Sequence, residues 1–197
     1  MGSMKVLAAL LVASVATAVA AVNVSPQQSA AFEKKLQQIV RNGETRSDKA
    51  RPTMVTQDEV NSYLRFGAVD RIPVGVTEPF IGIQPQGRLH GRAVVDLDVV
   101  RRKKSSGGWF DPMSYLTGRL PLTAAGVLQT QDGRGRFTLE SAAISGVPIP
   151  KAFLQEIVSF YTKTADNPDG INIDDPFELP AEIQRIDVEQ GRATIIQ

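Results

Sequence analysis

Apolar residues recur at helical spacing in the first part of the chain and at alternating positions further on. Ser25-Pro26 is a helix start signal, Phe32, Leu36, Ile39 and Val40 mark one helical face, and Asn42-Gly43 reads as the stop. Glu44 to Pro52 is polar and charged, the composition of a flexible linker. Thr56-Gln57-Asp58-Glu59 is a capping box opening a short helix with Val60, Tyr63 and Leu64 inward, ending near Phe66 and Gly67. From Pro73 onward the period shortens to that of a strand. Arg88 to Val100 alternates, with Leu89, Ala93, Val95, Leu97 and Val99 on one face and His90, Arg92, Asp96 and Asp98 on the other. Leu120, Leu122, Ala124 and Leu128 mark a second strand. Phe137, Leu139, Ser141 and Ala143 mark a third, joined to it by the hairpin turn Asp132-Gly133. Pro148-Ile149-Pro150 breaks the sheet and starts a helix whose stripe is Phe153, Leu154, Ile157, Val158 and Tyr161. A loop over Asp166–Asp175 and a closing hairpin, Ile183–Val188 and Ala193–Gln197 about Gln190-Gly191, complete the pattern. Adjacent hairpins rather than alternating βαβ units indicate an antiparallel α+β domain.

The N-terminus adds a destination. Met1-Gly2-Ser3 before Met4 reads as a cloning remnant, Lys5 supplies a positive charge, and a small-apolar stretch leads to Ala18-Val19-Ala20. A signal peptidase accepts that small-x-small pattern, which makes Ala21 the first mature residue; the competing reading is an N-terminal membrane anchor. The expected organisation is therefore 1–20 remnant and signal peptide, 21–52 helix and linker, and 53–197 a single domain. The mature protein is expected in an exported compartment, most simply the periplasm.

Composition narrows the chemistry. The 197 residues carry a formal net charge of +1, one histidine and no cysteine. Near-neutral charge argues against broad nucleic-acid binding, and the absence of cysteine removes disulfides, thiolate metal sites, thiol nucleophiles and an acylated lipid anchor. Asp96 and Asp98 point the same way on a strand and could form an acid/base pair. With His90 and Arg92 beside them, they read instead as a mixed-charge solvent face. Asp166-Asn167-Pro168-Asp169-Gly170 resembles a calcium loop, but aligning its glycine puts Ala165 first and Pro176 last, where acids are needed. Gly133-Arg134-Gly135 lacks the third glycine of a dinucleotide loop. No catalytic constellation, metal site or cofactor site emerges, so no enzyme is expected. One run stands out: Arg101, Arg102, Lys103 and Lys104, then Ser105-Ser106-Gly107-Gly108, then Trp109 and Phe110. Cations beside aromatics suit transient docking on an anionic membrane surface; the plainer alternative is a cap on the core.

Three segments together resemble a known group. Thr56-Gln57-Asp58-Glu59-Val60-Asn61-Ser62-Tyr63-Leu64, Ser145-Gly146-Val147-Pro148-Ile149-Pro150 before an amphipathic helix, and Phe177-Glu178-Leu179-Pro180 before a two-strand finish are similar to bacterial periplasmic TULIP-like lipid-binding proteins, in their small-lipoprotein and domain-of-unknown-function branches. The resemblance covers about Thr53 to Gln197. It implies a long amphipathic helix wrapped by a strongly curved antiparallel sheet, with an apolar groove for a lipid-like ligand and the Pro26–Arg41 helix as an extra. The groove residues would be Leu97, Leu120, Leu122, Leu128, Phe137, Leu139, Phe153, Leu154, Ile157, Val158 and Tyr161. From pattern alone these build either groove walls or a packed core, because both need the same apolar residues. Three readings follow, in descending order: an exported binder or carrier of a hydrophobic ligand, a non-catalytic structural module of the cell envelope with a solid core, and, well behind these, an enzyme using Asp96, Asp98 or His90.

Overall fold

Ser25 opens the first helix as its sequence requires. Its hydroxyl accepts from the Gln28 N–H at 3.2 Å, and Pro26 stands where a helix has no use for an N–H. The computed structural model describes residues 23–45, 47, 49–98 and 117–197. Helix α1 spans Pro26–Glu44 and so runs through Gly43. That glycine is not a stop. A Cβ there would lie 2.7 Å from the Ala181 backbone, so it permits a close approach between α1 and the C-terminal segment. Val40 is 54% exposed and lies off the buried face that Ile39 anchors.

Helix α2 spans Gln57–Phe66 and carries both halves of the capping box. Thr56 N–H donates to Glu59 at 2.9 Å, and Glu59 N–H donates to the Thr56 hydroxyl at 3.2 Å. Such a cap stabilises a helix by about 1 kcal/mol. Lys35 of α1 reaches the same Glu59 carboxylate at 2.7 Å and ties the two helices together. The buried face of α2 is Asn61, Ser62 and Tyr63; Val60 and Leu64 are only half-buried.

Asn61 is buried because it completes an edge strand. Strand β2 spans Val76–Ile83, a segment the alternation did not single out. The Asn61 side chain donates to the Ile81 carbonyl at 2.7 Å and accepts from the Ile81 N–H at 2.8 Å, while the Ile83 N–H donates to Gln57 at 2.7 Å. The exposed edge is thus satisfied by amide side chains instead of another strand. Pro79 lies in the irregularity between Thr77 and Phe80, where a strand tolerates a residue without an N–H.

The main sheet is antiparallel with order β2-β3-β4-β5-β6, where β3 is Arg88–Asp96, β4 Arg119–Gln131, β5 Arg134–Ile144 and β6 Val147–Pro148. Strand β7, Phe177–Glu178, pairs with the start of β5. The β4–β5 turn has positive φ at both Asp132 (51°) and Gly133 (76°), as a tight hairpin demands. A three-stranded sheet, β1-β9-β8, joins Pro52–Thr56 to Arg192–Ile196 and Arg185–Glu189. Thr130 links the two sheets: its hydroxyl accepts from the Ile186 N–H at 2.8 Å and donates to the Ile186 carbonyl at 3.1 Å. The class is α+β.

Two cores result. One packs Val95, Leu97 and Ile144 against Phe153 and Ile157 of helix α3, Lys151–Thr162. The other packs Ile39 of α1 with Val55, Ile183, Ala193 and Ile195. Helix α1 therefore shares a core with both ends of the 53–197 segment instead of standing apart from it. Asn42 also bonds the Gln197 side chain, and the Gln197 side chain donates to the Ile39 carbonyl. Residues 1–20, expected to hold a signal peptide, and the run Arg101–Phe110 lie outside the described residues. No described helix is long and apolar enough to cross a membrane.

Candidate functional site

The strand register decides which side chains share a face. Leu89, Gly91, Ala93 and Val95 of β3 stand opposite Gly126, Ala124, Leu122 and Leu120 of β4. On β5 the register shifts between Ala125 and Gly126, so Leu139 pairs with Gly126 but Ser141 pairs with Ala125. Glu140 is the extra residue of a bulge, and it reverses the alternation. Phe137 and Leu139 consequently share a face with Ala142 and Ile144. Ser141 and Ala143, expected beside Phe137 and Leu139, face the other way.

On the face that carries α3 the packing divides in two. Near the end of β3, large side chains meet large side chains: Leu97 is 1% and Ile157 2% exposed. One or two residue pairs along, β3 and β4 present Gly91, Ala93 and Ala124, whose side chains are too small to reach across. A hollow of about 960 Å³ opens there, walled by Leu122, Phe137, Leu139, Leu154 and Val158. Its size falls in the range of small-molecule pockets, roughly 300–1,000 Å³.

The rim is the segment after α3, and the helix holds it in place. Gln155 donates to the Ile171 carbonyl and accepts from the Ile173 N–H, both at 2.8 Å. Ile171 N–H donates to the Thr162 hydroxyl at 2.7 Å, and Lys151 pairs with Asp174. Gly170, with φ +76°, lies directly on the Ser159 backbone, where no side chain would fit. Ile171, Ile173 and Phe177 thereby become lining residues, and Ile171 and Phe177 remain 54% and 44% exposed. Exposed apolar side chains at the mouth of an apolar hollow are a feature of ligand sites.

Of the expected groove residues, Leu122, Phe137, Leu139, Leu154 and Val158 line this hollow. Leu97, Phe153 and Ile157 are sealed in the adjoining core, with Leu120 and Tyr161 packed against it. Their side chains meet α3 or its partners too closely to leave space. Leu128 faces the same side but lies beyond the hollow, among the half-buried residues. Pattern missed Gly91 on the floor and Ile171, Ile173 and Phe177 at the rim, and it placed Ala93 and Ala124 on the apolar strand faces without assigning them to a groove. The available signal was the run of small residues inside otherwise bulky alternation.

The opposite face of the sheet is not a plain solvent surface. Phe80, His90 and Arg92 form a stack, with the Phe80 and His90 rings 5.7 Å apart and the Arg92 guanidinium 5.3 Å from the Phe80 centroid. His90 lies over Gly82, and its Nδ1 is enclosed without a hydrogen-bond partner among the described residues. A second hollow, of about 1260 Å³, lies against this face between Leu64, Val69, Val74 and the sheet. The two hollows share Leu64, Pro79, Phe80, Gly91, Arg92 and Ala124, so they adjoin at the β2 edge and across the Gly91–Ala124 floor.

The acidic pair has structural duties. Asp98 N–H donates to the Asp96 carboxylate at 3.0 Å, and the Tyr161 hydroxyl donates to the Asp96 carbonyl at 2.8 Å. Burial, then the Asp96 charge, raise the Tyr161 pKa above the ordinary tyrosine value. Among the described residues no three acidic or histidine side chains are placed to hold a metal ion. Comparison of the chain with protein-family models, curated proteins and solved structures gives no match, so the functional reading rests on this geometry.

Proposed function

We propose that the protein is an exported binder or carrier of a hydrophobic, lipid-like ligand, held in the hollow beside α3. The observation that supports this reading is a space of about 960 Å³ walled by apolar side chains of β3, β4, β5 and α3 and edged by exposed Ile171 and Phe177. Apolar walls give affinity for hydrocarbon without demanding a particular head group. In this reading α3 and the six-stranded sheet correspond to the wrapped helix and curved sheet of TULIP-like proteins, and the leader directs the chain to the periplasm. Transient contact with an anionic membrane would use Arg101, Arg102, Lys103, Lys104, Trp109 and Phe110. The alternative is an envelope module that carries no ligand.

Native mass spectrometry of protein purified without detergent tests the proposal, with Gly91→Val as the control. A Cβ at Gly91 meets nothing closer than the Ala124 carbonyl at 4.0 Å, so the valine enters the hollow without a backbone clash. The expected result is lipid bound to the parent chain and lost from the variant, both folded. A parent chain that neither carries lipid nor takes it up from vesicles overturns the proposal in favour of the ligand-free module.

A further inference from the structure

We propose that the hollow on the far face of the six-stranded sheet is a second binding site, adjoining the one beside α3 at Phe80 and Arg92, and that it takes an amphiphile with one apolar chain and an anionic head. Its floor is built from small side chains: Ala125 of β4, and Ser141 and Ala143, which the β5 bulge brings to this face. Its rim is aliphatic, and Val69 and Val74 are 60% and 90% exposed. An exposed aliphatic rim over a shallow, small-residue floor suits a flexible hydrocarbon chain.

Charge selects the head group. The cationic lining residues are Arg65 and Arg92, and Glu78 is the one acid among the described lining residues. Neither arginine is paired with a carboxylate among the described residues. Each guanidinium instead lies over a phenyl ring, Arg65 at 5.7 Å from Phe66 and Arg92 at 5.3 Å from Phe80. A guanidinium carries five N–H donors, and contact with a ring uses no acceptor, so donors are left to receive a carboxylate or phosphate. The stack against Phe80 and His90 also holds Arg92 in place before any ligand arrives, which lowers the entropy lost on binding. A cationic head beside Arg92 would meet like charge instead.

Calorimetric titration of the full chain with dodecanoate and dodecyltrimethylammonium below their micelle concentrations, and with dodecanol below its solubility limit, tests the assignment. Dodecanoate is expected to bind about tenfold more tightly than the other two, the scale of one charge-assisted contact. The double variant Arg65→Gln, Arg92→Gln, altered only at exposed positions, is expected to abolish that preference while leaving dodecanol binding as it was. Ala125→Phe, which fills the floor, is expected to remove the preference for dodecanoate and to leave the head-group-independent binding beside α3. Equal affinity for the three amphiphiles, or a preference that survives the double variant, overturns the proposal. So does a preference for dodecanoate that survives Ala125→Phe but is lost in Val158→Trp, since the anionic ligand then sits beside α3.

Discussion

Two stretches of one sheet face meet the same helix with opposite results. Toward the end of β3, Val95 and Leu97, with Ile144 of β5, close onto Phe153 and Ile157, and no space remains. A few ångströms along the same strands, Gly91, Ala93 and Ala124 leave a hollow against Leu154 and Val158. Hydrophobic alternation is equally good in both stretches. Side-chain volume alone separates a core from a groove.

Neighbouring residues of α3 offer the sharpest way to break that contrast. Ile157→Ala is expected to lower unfolding free energy by about 2–5 kcal/mol, because it opens a cavity in a closed core. Val158→Ala, one residue on but facing the hollow, is expected to cost less than about 1 kcal/mol. Urea denaturation of both measures the difference; equal losses would mean that the hollow is packed as tightly as the core.

The volume rule extends to α1. In a free helix Gly43→Ala would stabilise by about 1 kcal/mol. Here the new methyl meets the Ala181 backbone, and overpacking of this kind costs about 1–3 kcal/mol. Thermal denaturation is expected to show a lower midpoint for the alanine variant, and a raised one would contradict the close approach.

Tyr161 marks the boundary of the closed core. Tyr161→Phe removes the bond to the Asp96 carbonyl and is expected to cost about 1 kcal/mol near neutrality. The folded hydroxyl holds its proton to higher pH than an unfolded tyrosine, whose pKa is about 10. Its contribution is therefore fully present below that value and is lost as pH rises through the folded pKa. Stability measured across that range should decline in the parent chain and decline less in the phenylalanine variant. The smallest effect belongs to Gly91→Val: the valine suits a strand and enters open space, so stability should change by less than about 1 kcal/mol while ligand is lost.

The elements with local causes were legible in the chain. Ser25-Pro26, the Thr56–Glu59 capping box and Asp132-Gly133 act on backbone groups within a few residues of themselves, so their spacing is enough to read them. Strands β1 and β2 were not legible. The first is five residues long and exists through pairing with β9, at the far end of the chain. The second contains Pro79 and is completed by side chains of α2, an arrangement without a period.

The site was half legible for the same reason. The sequence by itself determined that Leu122, Phe137, Leu139, Leu154 and Val158 would be apolar and inward, since alternation and helical spacing state as much. Tertiary structure alone decided that Leu97, Phe153 and Ile157 would close the core while Leu122, Phe137, Leu139 and Val158 stayed half-buried along the hollow, with Leu154 buried at its wall. It also decided, through the Glu140 bulge, that Ser141 and Ala143 would turn to the other face. A period reports direction from the backbone. Whether anything stands opposite depends on the volume contributed by residues distant in sequence, which no local pattern contains.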